Sequence, residues 1–566
     1  MLRTRYYQST VRGPSELVSV QAATGYYTFA LLGQEPYLMR PQLRVIKAIR
    51  FTTFLVCGVL AITASLVVTA APRARSIPSP TVERRIHIDP PGANESRYAY
   101  VPFDVVPHAV RISISYQYYR ANGANTIDIG LFDARSTGSD TDPRGFRGWS
   151  GGSRSDFFIS SNEATPGYLP GAMQAGTWRI ILGLYRVAPT GVDVTFKIDV
   201  ETENGPRSST HAERKASPSV TGPSTMPIAE SSGPRPSLSG QKVAGHGERW
   251  WRGDLHMHTV HSDGEWTIPE LISSARNTGL DFIFITDHNT SSHHAEIDRL
   301  SKGLKQPLVM PGEEITTYGG HTNAWGLSSG TWIDFRAHPG DAARMSKIVA
   351  DAHHSGAIIS INHPFALCGG CSWSYSAAVL DFDAIEIWNG SWDPTDELAL
   401  KMWDQILQSG RRMTAIASSD SHRSLNPIGQ PTSHVAARAL SQSLLLKAIR
   451  QGRVYLTERA AGPAMTFEAE LATGKLRARL TIGDEVHLSA PETIRFLIAT
   501  EAVPPDATVS LISNGRVLRS FSARADNKPE VIEINCQQDS YFRLEIRDKT
   551  KTVLVLTNPI YVRFRR

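Results

Sequence analysis

Between Trp251 and Gly264 three histidines (His256, His258 and His261) and two carboxylates (Asp254 and Asp263) fall close together. That density points to a metal centre. In an extended segment successive side chains alternate faces, so His256 and His258 project to one side and can share a cation. Further histidines and carboxylates recur at the ends of apolar runs: Asp287-His288, Glu313-Glu314, His321, His363, and Asp420 with His422. Each such group at a buried strand end costs desolvation unless it is paired or metal-bound. Imidazole and carboxylate donors suit Zn, Mn or Fe without choosing among them. Cations held a few ångströms apart activate water near neutral pH, polarise a carbonyl or phosphoryl oxygen and stabilise a departing oxygen. No Ser-His-Asp triad is needed, and no glycine-rich phosphate loop is recognisable.

The elements that must position these residues follow from hydrophobic periodicity. After residue 250 strand-like apolar runs alternate with amphipathic helices. Thr267-x-x-Glu270 reads as a capping box opening a helix that ends before Gly279, and Phe282 to Thr286 follows as a buried strand. Asp341 begins another helix, and Ala357 to Ile361 is the next strand. Further strands are expected at 308–311, 322–327, 383–388 and 413–417, with helices near 395–409 and 441–451. With the strand that carries His256 the count is seven, and the alternation argues for a parallel sheet with right-handed crossovers. In a β/α barrel the strand ends converge on one face.

The phrases Gly-Asp-Leu-His-Met-His-Thr, Thr-Asp-His-Asn, Gly-x-Glu, Gly-Gly-His-Thr-Asn, Asn-His-Pro and Ser-Asp-Ser-His resemble the motifs of the PHP (polymerase and histidinol phosphatase) superfamily, and most of all its CehA/McbA-like metallohydrolase branch. The resemblance spans 250–460 and implies the distorted (βα)7 barrel of that family. It also implies that His256, His258, Glu314 and Asp420 hold one divalent metal ion. Glu314 would bridge to a second with His321 and His363, and Asp263, His288 and His422 would hold a third; Asp263 stands where several relatives have histidine. Two or three metals per chain are therefore expected, with Glu313 facing away. Asp287 and Asn289 would orient imidazoles. Arg423 would contact an anionic substrate or form a surface salt bridge. His261 reads as solvated or as a support of the site, and His293, His294, His353 and His354 read as surface groups on helices.

Upstream, residues 83–203 alternate apolar and polar groups, as in Val192-Asp193-Val194-Thr195-Phe196, and suggest an antiparallel β-sandwich. Trp149, Trp178, Tyr116, Tyr118 and Tyr119 could line a sugar-binding face, but packing is the favoured reading. Residues 204–246 are rich in Ser, Pro and Gly and read as a disordered linker. Residues 462–566 return to strand alternation, with Asn514-Gly515 as a hairpin turn, and suggest a second, immunoglobulin-like β-sandwich. Residues 1–38 read as a non-structural extension. From Met39 a basic stretch, an apolar run and small residues up to Ala71 form an export signal or, uncleaved, an N-terminal membrane anchor. Either places the rest of the chain outside the cytoplasm. Cys368 and Cys371 form a C-x-x-C pair open to a redox, half-zinc or disulfide reading, the last favoured in an exported protein.

The formal charge is only +5 over 566 residues, which gives little reason to expect a nucleic-acid-binding face. The leading expectation is an exported metal-dependent phosphoesterase acting on a small phosphorylated compound, a nucleotide or a nucleic-acid end, with nucleic acid only as substrate. An ester, amide or carbamate hydrolase is the alternative, and a metal-stabilised cell-surface binding protein is a third reading.

Overall fold

A computed structural model describes residues 81–93, 95–203, 242–243, 247–376, 381–471, 479–524 and 528–565. The expected extension 1–38, the export segment 39–71 and nearly all of the 204–246 linker lie outside them. Within that linker, Lys242–Val243 forms a two-residue strand against Glu248 and Arg249. Among the described residues no helix is long and apolar enough to cross a membrane.

Residues 81–202 form two four-stranded antiparallel sheets. Strand Val192–Thr202 shows why: Val192, Val194, Phe196, Ile198 and Val200 all point inward and are buried, and the residues between them face outward. Each fully buried side chain of this kind contributes roughly 1.5–3 kcal/mol. Strand Gly176–Arg186 is different, because Ile180, Ile181 and Leu182 are all fully buried. Ile180 and Leu182 fill the core between the two sheets, whereas Ile181 packs on the other side with Tyr98, Phe132, Phe146 and Trp149 against Phe284, Trp325 and Phe335 downstream. A strand covered on both faces reads as a continuous apolar run.

The sandwich is packed face-on against the histidine-bearing domain. The rings of Phe146 and Trp332 stack with centroids 3.8 Å apart. The buried Arg336 guanidinium donates to Tyr100 Oη at 2.6 Å, to the carbonyls of Ser139 and Asp142 at 2.9 and 2.8 Å, and to Asp334 at 2.8 Å.

Downstream, seven strands lie side by side in chain order: Glu248–Asp254, Phe282–Ile285, Leu308–Thr317, Gly320–Trp325, Ile358–Asn362, Ala384–Asn389 and Thr414–Ser418. The helices fall between them. Thr267 caps Ile268–Thr278, which closes at Gly279 in the left-handed region with φ 82°, where glycine carries no Cβ penalty.

The sheet is mixed, not parallel as the alternation suggested. Gly320–Trp325 runs antiparallel to both neighbours, because Leu308–Thr317 turns straight back through Tyr318-Gly319, with Gly320 at φ 131°. No continuous backbone ladder closes the path among the described residues. Its two ends nevertheless meet at the mouth, where His258 N donates to Ser421 O and Asp420 N to His256 O, at 2.9 and 3.0 Å. Below, the Ser433 hydroxyl accepts from Ala417 N and donates to Ala417 O.

The C-terminal region joins differently. Strand Val553–Thr557 pairs with Val454–Thr457, so one of its sheets continues the central sheet, and a four-stranded sheet that includes Ala464–Leu471 and Glu492–Glu501 covers it. Asn514 and Gly515 make the hairpin turn with φ 48° and 73°.

Candidate metal centre

The local fold aims the first two histidines. In the extended run after Asp254, Leu255 and Met257 point into apolar cores, so alternation sends His256 and His258 to the other side. Glu314 comes from the middle of Leu308–Thr317, His321 from the start of Gly320–Trp325, and His288, His363 and Asp420 from segments just past strand ends. His363 and Asp420 adopt φ 24° and 50°, left-handed conformations that cost a non-glycine residue energy and recur at functional sites.

The carboxylate of Glu314 is the hub. Its Oε1 lies 3.2 Å from His256 Nε2, 3.3 Å from His321 Nδ1 and 3.2 Å from His363 Nε2. Its Oε2 lies 2.7 Å from His288 Nδ1 and 3.6 Å from His258 Nε2. Asp420 Oδ1 faces His258 at 3.1 Å and His256 at 3.3 Å. Asp263 Oδ1 faces His422 at 3.2 Å and His288 at 3.4 Å. All nine residues expected as ligands thus gather at one centre.

The arrangement fits cations better than it fits hydrogen bonds. His256 Nε2, both ring nitrogens of His258, Glu314 Oε2, His321 Nδ1 and Asp420 Oδ1 are buried without a hydrogen-bond partner, a costly state for polar atoms. Two donors each bound at about 2.0–2.2 Å to one tetrahedral ion sit roughly 3.3 Å apart, close to the separations seen here. Burial works against ionising Glu314, but the imidazoles of His256, His288 and His321 outweigh it and hold the carboxyl well below its ordinary range. Asp420 is likewise held down, by His256 and His258. Burial together with His422 and His288 pushes His258 down to about 4, so it stays neutral with a free lone pair. For His422 burial is outweighed by Asp263 and Asp420, which lift it to about 9.

Asp287, expected to orient imidazoles, and Arg423, expected at an anionic substrate or in a surface salt bridge, are not among the groups gathered around Glu314. Asp287 is fully buried and is occupied in accepting from Thr259 N, Thr259 Oγ1 and Ser262 Oγ at 2.7, 2.6 and 2.6 Å, so it braces the turn after His258. Arg423 is exposed and does not line the cavity over the centre. Among the bystanders, His293 and His294 are fully buried, not on the surface, and bond to the Gly312 carbonyl at 3.0 and 3.2 Å. His261 is buried against Ser292 and Glu296. Glu313 turns away and accepts from Ile333 N at 2.7 Å. Asn289 holds Thr316, not an imidazole, through its amide.

Sequence reasoning missed Glu386, whose Oε1 lies 3.2 Å from His256 Nδ1 and whose Oε2 accepts from His363 N at 3.0 Å. Fixing the far nitrogen of a ligand imidazole is what an outer carboxylate does. A carboxylate inside the apolar run Ala384-Ile385-Glu386-Ile387 was the available signal. Asn362, which donates to Glu314 Oε1 at 3.0 Å, was also missed.

A cavity of about 650 Å³ lies over the centre. Its far wall comes from the N-terminal sandwich, including Asp128, Trp149 and Tyr185, and its rim includes Cys368 and Cys371, which form a disulfide with Cα atoms 5.3 Å apart. Trp178 and Tyr116 are core residues, and Tyr119 is exposed.

No protein-family model matches the chain, and no curated protein matches it. Among solved structures it is similar to a two-domain protein from Bacteroides vulgatus containing a "predicted PHP-like metal-dependent phosphoesterase", at 16% identity over 58% of this chain and 99% of that one, with a TM-score of 0.33. It is also similar to an amidohydrolase from Chromobacterium violaceum, at 14% identity over 32% and 90% of the two chains, with a TM-score of 0.23. Scores this low transfer neither fold nor chemistry.

Proposed function

We propose that the chain is a metal-dependent hydrolase of the PHP type, with its seven central strands acting as that family's distorted (βα)7 barrel, and that it cleaves a phosphoester. The observation that carries this reading is Glu314, a fully buried carboxylate ringed by five imidazole nitrogens within 3.6 Å. His256, His258, Glu314 and Asp420 would hold one divalent cation, Glu314, His321 and His363 a second, and Asp263, His288 and His422 a third. When bound, such cations supply an activated water and polarisation of the scissile group.

The chain's own residues do the rest. Glu386 fixes the His256 ring and the His363 backbone, and Asn362 fixes Glu314, so the donors need no rearrangement. With three divalent ions bound, the four carboxylates at the centre, Glu314, Asp420, Asp263 and Glu386, would leave a surplus of positive charge that faces the cavity and favours a phosphoryl dianion. Among the described residues lining the cavity none is Lys or Arg, which also admits an uncharged ester, amide or carbamate as a second reading. Export through residues 39–71 is part of the proposal, and the Cys368–Cys371 disulfide suits an oxidising compartment.

The test uses metal-stripped protein reconstituted with Zn, Mn or Fe and assayed on phenyl phosphate, bis-phenyl phosphate and phenyl acetate. Turnover of phenyl phosphate that is lost with chelator and restored with metal is expected. Hydrolysis of phenyl acetate alone would move the assignment to carboxylic esters, and no turnover of any substrate would reject a hydrolase.

A further inference from the structure

The domain that carries every donor leaves one side of the cavity open, and the N-terminal sandwich fills it. Trp149 is buried at its edge and presents its indole to the cavity, braced by Phe335 at 4.8 Å between ring centroids. Tyr185 stands beside Tyr318, with ring centroids 5.7 Å apart. Between them, the Tyr318 hydroxyl donates to Asp128 Oδ2 at 2.6 Å. That bond fixes the carboxylate but engages one oxygen. Oδ1 points toward Gly151 and Gly152, where a Cβ would come within 3.9 and 3.2 Å of it, and glycine at both positions keeps side chains off it.

The wall is built to hold this geometry. A Cβ on Gly183 would come into hard overlap with Tyr318 Oη, so glycine there is what lets Tyr318 reach the sandwich. A carboxylate flanked by aromatic faces is the chemistry that binds a hydrogen-bond donor carried on a flat body. None of the cavity's described lining residues is Lys or Arg. Positive charge would then come from the metal centre alone.

We propose that Asp128, Trp149 and Tyr185 form the recognition wall for the part of the substrate that is not cleaved, and that this wall takes a ring-borne hydrogen-bond donor, hydroxyl or ammonium, and excludes a second anionic group. The inference rests on the hydrolase reading for what is cleaved, but not for what is bound. Within the classes of phosphoester considered, it favours a monoester of a small aromatic or sugar-like alcohol. A nucleotide polyphosphate or a nucleic-acid strand would bring further phosphates toward Asp128 with no Lys or Arg among the described lining residues to receive them.

The test measures binding of non-hydrolysable phenylphosphonates to metal-loaded protein by calorimetry, with 4-hydroxymethyl, 4-ammoniomethyl and 4-carboxyl probes. The hydroxymethyl or ammoniomethyl probe, or both, should bind at least about tenfold tighter than the carboxyl probe, the size of one hydrogen bond to a charged group. The arm that is tighter identifies the donor. In Asp128→Asn, which keeps the shape, that ratio should fall to within about threefold, and in Tyr318→Phe it should persist. A carboxyl probe that binds as tightly as the others, or an unchanged ratio in Asp128→Asn, overturns the proposal. Phenyl phosphate turnover, recorded on the same preparation, reports separately on the hydrolase reading: discrimination without turnover sinks that reading and leaves this one standing.

Discussion

The two β regions that flank the histidine-bearing domain are similar in build and differ in how they attach. The N-terminal sandwich docks face-on through side chains, sharing a core with the central domain through Phe146, Trp149 and Ile181. The C-terminal region attaches edge-on, through the backbone pairing of Val553–Thr557 with Val454–Thr457, and Asn558 ties it further to Ala415 and Val454. The C-terminal region also packs side chains on the central domain, with Tyr541, Val553 and Leu556 in its core and Arg543 on Asp404, but only the N-terminal sandwich delivers side chains to the cavity among the described lining residues. The first region therefore shapes what is bound, and the second supports the sheet that holds the donors.

The largest expected effect comes from Arg336→Ala. It leaves Asp334 to Arg344 alone, 2.6 Å away, and strips Tyr100, Ser139 and Asp142 of their buried donor, a loss of about 3 kcal/mol or more, measurable by urea denaturation, and because Arg336 clamps the sandwich it should also raise KM for phenyl phosphate several-fold. Arg543, equally buried and bonded to Asp404 at 2.8 Å, is the matched control on the other side. Arg543→Ala should cost about 3 kcal/mol or more and leave KM unchanged. A KM shift of equal size in both variants would erase the distinction.

Smaller is Gly183→Ala, where the added methyl must displace Tyr318 or the strand that pairs with Asp128; a loss of roughly 1–3 kcal/mol by urea denaturation is expected. Smallest is cleavage of an engineered protease site within residues 204–241. Because the interface does not depend on that covalent link, the two fragments should co-elute in gel filtration with turnover intact. Separate elution would show that the shared core does not hold the two parts together.

How much of this could be read in the sequence depended on distance along the chain. His256 and His258 were readable because strand alternation fixes their common side locally, and Asp420 and His422 because they follow an apolar strand. The antiparallel strand Gly320–Trp325 was hidden, although Gly319-Gly320 beside Thr317 is a turn signal that could have revealed the hairpin. His293 and His294 were misread because a helix position says nothing about what covers it, and here the short helix His294–Leu300 lies against the Gly312 backbone. Glu386 carries no motif around it, since its partners are 130 and 23 residues away. The Asp128–Tyr318 pair spans 190 residues, and a contact of that range leaves no trace in local periodicity.

The central claim is that Glu314 is the shared carboxylate of a multinuclear centre. Elemental analysis of purified wild type and Glu314→Gln, each reconstituted with excess Mn or Zn and then desalted, tests it most directly. Two or three metal ions per chain are expected in the wild type. Two neighbouring cations rely on the charge between them to offset their repulsion, so the variant should lose more than one equivalent along with its phenyl phosphate turnover. A Glu314→Gln protein that keeps its full metal content and full rate would contradict the account.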